Sequence, residues 1–202
     1  IRTTLEGIYS KTINSIVYSD LNLKASTSAI SSVLSGGADT RALYGPKVDA
    51  TNFTNVILLD NATRGYTYSL TAQLQKNFSN KLSAMFAYTN MQAKSVNDGA
   101  SSTALSNWNN VPQVNGPNNL PLTVSNFQIR HHLVGSFSYK IKYGRNKLLG
   151  TGLSLFYSGS SGQPYSYVYS GDLNGDGGLS NDLIYIRSEE RRVGKECLRL
   201  CR

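Results

Sequence analysis

The chain has 202 residues and a formal net charge of +8, yet only 16% of its residues are charged, against roughly 25% in ordinary soluble domains. Thirteen tyrosines and an abundance of Ser, Thr, Asn and Gly argue for β-structure rather than a soluble helical domain. No apolar run reaches the roughly 18 residues that a spanning helix needs, so any membrane crossing must be made by strands.

In chain order, the sequence opens at Ile1 without a basic-then-apolar leader, which neither shows nor excludes export. A weak strand pattern of ambiguous phase runs over Thr3–Tyr18, followed by a loop rich in Ser, Gly and Asp from Asp20 to Asn52. The clearest signal begins at Tyr66. There Tyr66, Tyr68, Leu70, Ala72, Leu74 and Phe78 alternate with Thr67, Ser69, Thr71, Gln73, Gln75 and Asn77, broken only by Lys76. At about 3.3 Å per residue this strand is about 43 Å long, enough to cross a bilayer when tilted near 45°.

Ser79-Asn80-Lys81 reads as a tight turn, after which Leu82, Ala84, Phe86 and Tyr88 resume the alternation on an antiparallel return strand. The pattern dissolves between Lys94 and Phe127, a long loop around Trp108. A second hairpin then places His131, Leu133, Gly135, Phe137, Tyr139, Ile141 and Tyr143 on one face and His132, Val134, Ser136, Ser138, Lys140 and Lys142 on the other. It turns at Gly144–Lys147 and returns from Thr151 through Leu153, Leu155 and Tyr157 towards Tyr165, Tyr167 and Tyr169. Long loops alternate with short turns, and aromatic residues gather at both strand ends. This predicts an all-β fold: an antiparallel transmembrane β-barrel segment of about five long strands, with short periplasmic turns and long external loops.

Several stretches resemble the TonB-dependent receptors of the Bacteroidetes, Oar-like kind. They are Thr4–Lys11, Asn61–Tyr66, Ser154–Gly159 with Gly162–Tyr167, and Gly171–Gly177 with Asn181–Ile186. The resemblance implies a barrel of roughly 22 strands plugged by an N-terminal domain. It implies active uptake of an unidentified solute (siderophore, vitamin, glycan or peptide), with outer-membrane lipid around the wall and TonB with its inner-membrane energising complex as partners. It also implies that the chain is an internal piece of a larger barrel, since five strands cannot close one. A passive porin-like barrel and a secreted calcium-binding adhesive β-protein are the alternatives.

Asp172-Leu173-Asn174-Gly175-Asp176-Gly177 places oxygen donors at positions one, three and five and glycine at six, as a calcium loop of the EF-hand kind does. Asp172, Asn174, Asp176 and Asp182 are therefore the candidate metal ligands and calcium the candidate ion, although position twelve is Leu183 and Asp182 comes one residue early. His131 and His132 face opposite ways on a strand and cannot chelate one ion together. Lys76, Lys140 and Lys142 are expected at the lumen wall or near head groups. No nucleophile with a base and orienting partner is legible, so no enzymatic role is expected.

The domain boundary is placed at 186. Residues 187–202 differ in charge and texture, and Arg187–Cys197 matches an in-frame reading of a sequencing-library adapter, so this tail is read as artefactual. Setting it aside removes six basic and three acidic residues, lowering the net charge of 1–186 to +5, and removes both cysteines, Cys197 and Cys201. Neither a nucleic-acid partner nor a disulfide is then expected.

Overall fold

A computed structural model of the protein describes residues 1–30, 39–78, 81–114, 116–144 and 149–185. The adapter-like tail 187–202 lies outside these, as do most of the two predicted tight turns. The chain divides into two units, one of 1–13, 63–98 and 122–164, the other of 14–62, 99–121 and 165 onwards.

The first unit is an antiparallel sheet. Its long strands are β1 (Arg2–Lys11), β6 (Tyr66–Asn77), β7 (Leu82–Ser95), β9 (His131–Tyr143) and β10 (Leu149–Ser160), hydrogen-bonded in the order β1-β6-β7-β9-β10. The two-residue β8 (Thr123–Val124) adds to the loop end of β7. β1 and β10 are the edges, and the sheet does not close on itself. Their number matches the five expected; the second hairpin begins at His131 as expected, but its return strand runs from Leu149 to Ser160 rather than from Thr151 to Tyr157.

Residues directly paired between strands share a face. Leu5, Ala72, Tyr88, Leu133 and Gly159 form one row across all five strands, and Thr3, Leu74, Phe86, Gly135 and Tyr157 form the next. The opposite face carries the row Glu6, Thr71, Thr89, His132 and Ser160, then Thr4, Gln73, Ala87, Val134 and Ser158. One face is therefore mainly apolar and aromatic, the other mainly small and polar, with Ile8 and Phe156 among its large apolar exceptions.

The apolar face has no layer packed on it: Leu5 is 74% exposed and Leu155 67%. In water such a surface would be an aggregation site, whereas hydrocarbon covers it at no cost. The band also steps along the register. On β6 it runs past Leu74, whose partner is Phe86, to Phe78, whose N–H donates to the carbonyl of Leu82 on β7. Leu82 pairs with Tyr139, and the band continues to Tyr143 on β9. A belt level with a membrane takes this stepped course when strands are tilted, as barrel geometry demands. Lys76, expected at the lumen wall or near head groups, follows Leu74 on the outer face, with its ammonium 4.6 Å from the ring centre of Phe78. A lysine so placed can extend its ammonium towards head groups while its stem lies along the apolar band.

The second unit corrects the reading of its segments as plain loops. β2 (Ser15–Asp20) pairs with β5 (Ile57–Ala62), and β3 (Ala25–Ala29) with β4 (Ala42–Tyr44). The pattern over Thr3–Tyr18 thus covers two strands in different sheets, which is why no single phase fits it. α1 (Ala104–Asn109) interrupts the stretch after Lys94; the Thr103 hydroxyl caps it, accepting from the Ser106 N–H at 3.4 Å. Trp108, 1% exposed, is its principal core side chain. No helix among the described residues is long and apolar enough to cross a membrane.

Candidate functional site

Two surfaces carry chemistry: the polar face of the sheet and the polar core of the second unit. On the sheet, the Thr71 and Thr89 hydroxyls lie 2.9 Å apart, Ser138 and Ser154 3.2 Å, and His132 Nε2 3.2 Å from Ser158 Oγ. The hydroxyls on this face thus pair across neighbouring strands. Arg2, Glu6, Lys140 and Lys142 also lie on this face, the two lysines towards the turn end of β9, while β6 and β7 bring it no charge. His131 lies on the outer face, its Nδ1 2.7 Å from the Tyr88 hydroxyl, so the two histidines point apart as expected.

In the second unit two buried carboxylates act as nodes. Asp20 is fully buried and accepts from the Asn22 and Val56 N–H groups at 2.9 and 2.8 Å and from the Asn55 amide at 2.7 Å, with Lys47 at 3.4 Å. Its own N–H donates to Asn118 Oδ1 at 2.8 Å, which also accepts from Trp108 Nε1 at 2.9 Å. Segments 14–62 and 99–121 are thereby joined.

Asp176, also fully buried, is the second node. Its Oδ2 accepts from the side-chain amides of Gln113 (3.0 Å), Asn174 (3.0 Å) and Asn181 (2.9 Å), and its Oδ1 from the Gly178 N–H at 2.6 Å. Asp172 accepts from the N–H groups of Gly175, Asp176 and Gly177 at 2.7–3.1 Å, and Asp182 from that of Leu173 at 2.8 Å. The four predicted residues therefore lie in one folded loop. Gly175, at φ +77°, lies so close that an added Cβ would be 2.8 Å from the Tyr44 carbonyl oxygen. The Tyr44 N–H donates to Asn174 O at 2.6 Å and the Gln113 N–H to Asn181 O at 2.9 Å, so three distant segments meet here. Among the described residues no three His, Cys, Asp or Glu side chains are placed to hold a metal by themselves. Gln113, Asn181 and Tyr44 were missed from sequence because nothing in spacing marks them; only Asn181, beside Asp182, lay in a motif already noted.

Burial raises the pKa of Asp176, and that of Asp182, against the hydrogen bonds they accept, and the neighbouring carboxylates add to the rise. Asp20 and Asp39 behave oppositely. Burial would raise them, but hydrogen bonds outweigh it for both, aided by Lys47 for Asp20 and by the Arg41 guanidinium, 2.6 Å away, for Asp39. Their depressed values contribute stability present above the unfolded pKa and lost as pH falls through the folded one. Asp176 and Asp182 act at higher pH with the reverse sign. Protease cleavage within 14–62 is therefore expected to accelerate as pH falls below about 4, and an unchanged rate would show that these carboxylates do not hold the unit.

A membrane-long antiparallel sheet with an uncovered apolar face, a polar inner face and long external segments defines the wall of an outer-membrane β-barrel. The chain belongs to the outer membrane beta barrel domain family, whose model matches residues 5–196, and its location is the bacterial outer membrane. No curated protein and no solved structure matches it significantly.

Proposed function

We propose that this wall is part of an energised transporter of the TonB-dependent kind, in which a plug domain fills the lumen and an inner-membrane complex supplies the work of solute uptake. The inner face of β6 and β7 supports this reading. Thr67, Ser69, Thr71, Gln73, Gln75 and Asn77 on β6, and Ser83, Met85, Ala87, Thr89, Met91 and Ala93 on β7, all turn inward, and none of them is charged. Rings of charge are one way in which a pore selects ions, and on this wall charge enters the inner face from β1 and β9, through Arg2, Glu6, Lys140 and Lys142. Hydroxyl and amide side chains instead offer hydrogen bonds to a protein surface lying against them. The folded second unit adds a large external surface suited to a bulky solute, since long connections that fold are commonly functional.

Conductance of the full-length protein in planar bilayers tests this. A plugged transporter is expected to pass little current until urea displaces the plug, and a protonophore should abolish uptake by cells. A steady open conductance in untreated protein would instead establish the passive porin-like barrel.

A further inference from the structure

We propose that the Asp172–Asp182 loop binds a calcium ion through Asp176, Asp182 and the side-chain oxygen of Asn181, and that this ion ties the loop to the segments carrying Tyr44 and Gln113. This inference is independent of the transport reading.

The observation that points to a ligand is Asn181. Its side chain is fully buried, its Nδ2 lies 2.9 Å from Asp176 Oδ2, and its Oδ1 has no hydrogen-bond donor. The amide sits directly over Gly178, leaving no room there for a Cβ. It is therefore held inside the acidic loop with an uncompensated oxygen. The other two amides on Asp176 are committed. Asn174 Oδ1 accepts from the Asp176 N–H at 2.9 Å, and Gln113 Oε1 from the Gly116 N–H at 2.5 Å, so neither can turn without losing a bond. Asn181 differs: only its Nδ2 is engaged, and its buried Oδ1 is left to take a cation where it stands.

Charge points the same way. Asp172, Asp176 and Asp182 lie within one loop, while the nearby guanidinium of Arg41 is bound to Asp39 at 2.6 Å and to Leu183 O at 2.6 Å. Every side-chain donor named here is a hard oxygen and none is nitrogen or sulfur, which suits calcium and not zinc. Calcium also tolerates irregular oxygen sets completed by main-chain carbonyls and water, whereas magnesium demands a near-ideal octahedron.

Hydrogen exchange on the full-length protein in outer-membrane vesicles, with calcium at about 5 mM or with a chelator, reads this directly, since extracellular calcium modules bind at about 0.1–1 mM. Calcium is expected to slow exchange at least about tenfold over 173–178 and at Tyr44 and Gln113, a response lost in Asn181→Leu, which keeps the side chain's size without its oxygen. No calcium effect on the unsubstituted protein would overturn the proposal. So would an equal effect of magnesium, or a full calcium response in Asn181→Leu.

Discussion

Leu155→Arg is expected to cost the folded barrel about 2–4 kcal/mol, whereas Ser154→Arg, one residue away, costs about 0.5 kcal/mol. Leu155 sits near the middle of β10, paired with Phe137 near the middle of β9, in the apolar band that no protein layer covers. Because Leu155 is 67% exposed, its replacement removes little protein packing; the cost is that of placing a guanidinium in hydrocarbon. Ser154 faces the polar side, opposite Ser138, where a long charged side chain can extend along the wall. Urea titration of both variants in lipid, following the gel-mobility difference between folded and unfolded barrel, gives the comparison. Equal costs would mean that the two faces have been assigned without reason, since a one-residue slip exchanges them throughout.

Trp108→Ala is expected to destabilise the second unit by about 3–5 kcal/mol, the range for deleting a large buried aromatic. Two losses combine: the cavity left by a side chain 1% exposed, and the indole N–H bond to Asn118 Oδ1. Asn118 also bonds both the N–H and the carbonyl of Asp20, so its loosening reaches the first node. Trp108→Phe separates the two effects. It keeps most of the ring and loses one donor, for about 1 kcal/mol. Hydrogen exchange over 14–62 and 99–121 should rise steeply in the alanine variant and slightly in the phenylalanine one. Protection in β6, β7, β9 and β10 should remain, because their ladders close on each other.

Much of the barrel wall was legible in the sequence because strand periodicity is local. Tyr66 to Phe78 and His131 to Tyr143 each declare two faces in consecutive residues, and the short turns between strands leave only one partner within reach. The same logic failed at Thr3–Tyr18, where a change of sheet near Asn14 breaks the phase, and at Ile57–Ala62, too short and mixed to stand out. Of the second unit, the clustering of Asp172, Asn174, Asp176 and Asp182 in one loop was legible because their spacing is local too.

The amino-acid sequence by itself determined the fold class, the two long hairpins, which of their residues share a face, and the oxygen-rich loop, since each rests on neighbours a few positions apart. Only the tertiary structure decided that the long connections fold into a unit of their own. It alone decided that Trp108, Asn118 and Asp20 form one node, and that Gln113 and Tyr44 meet the loop at Asp176. Those contacts join segments far apart in the chain through single hydrogen bonds between polar side chains and main chain. Such bonds depend on distance and angle in space, and leave no period in the sequence from which to read them.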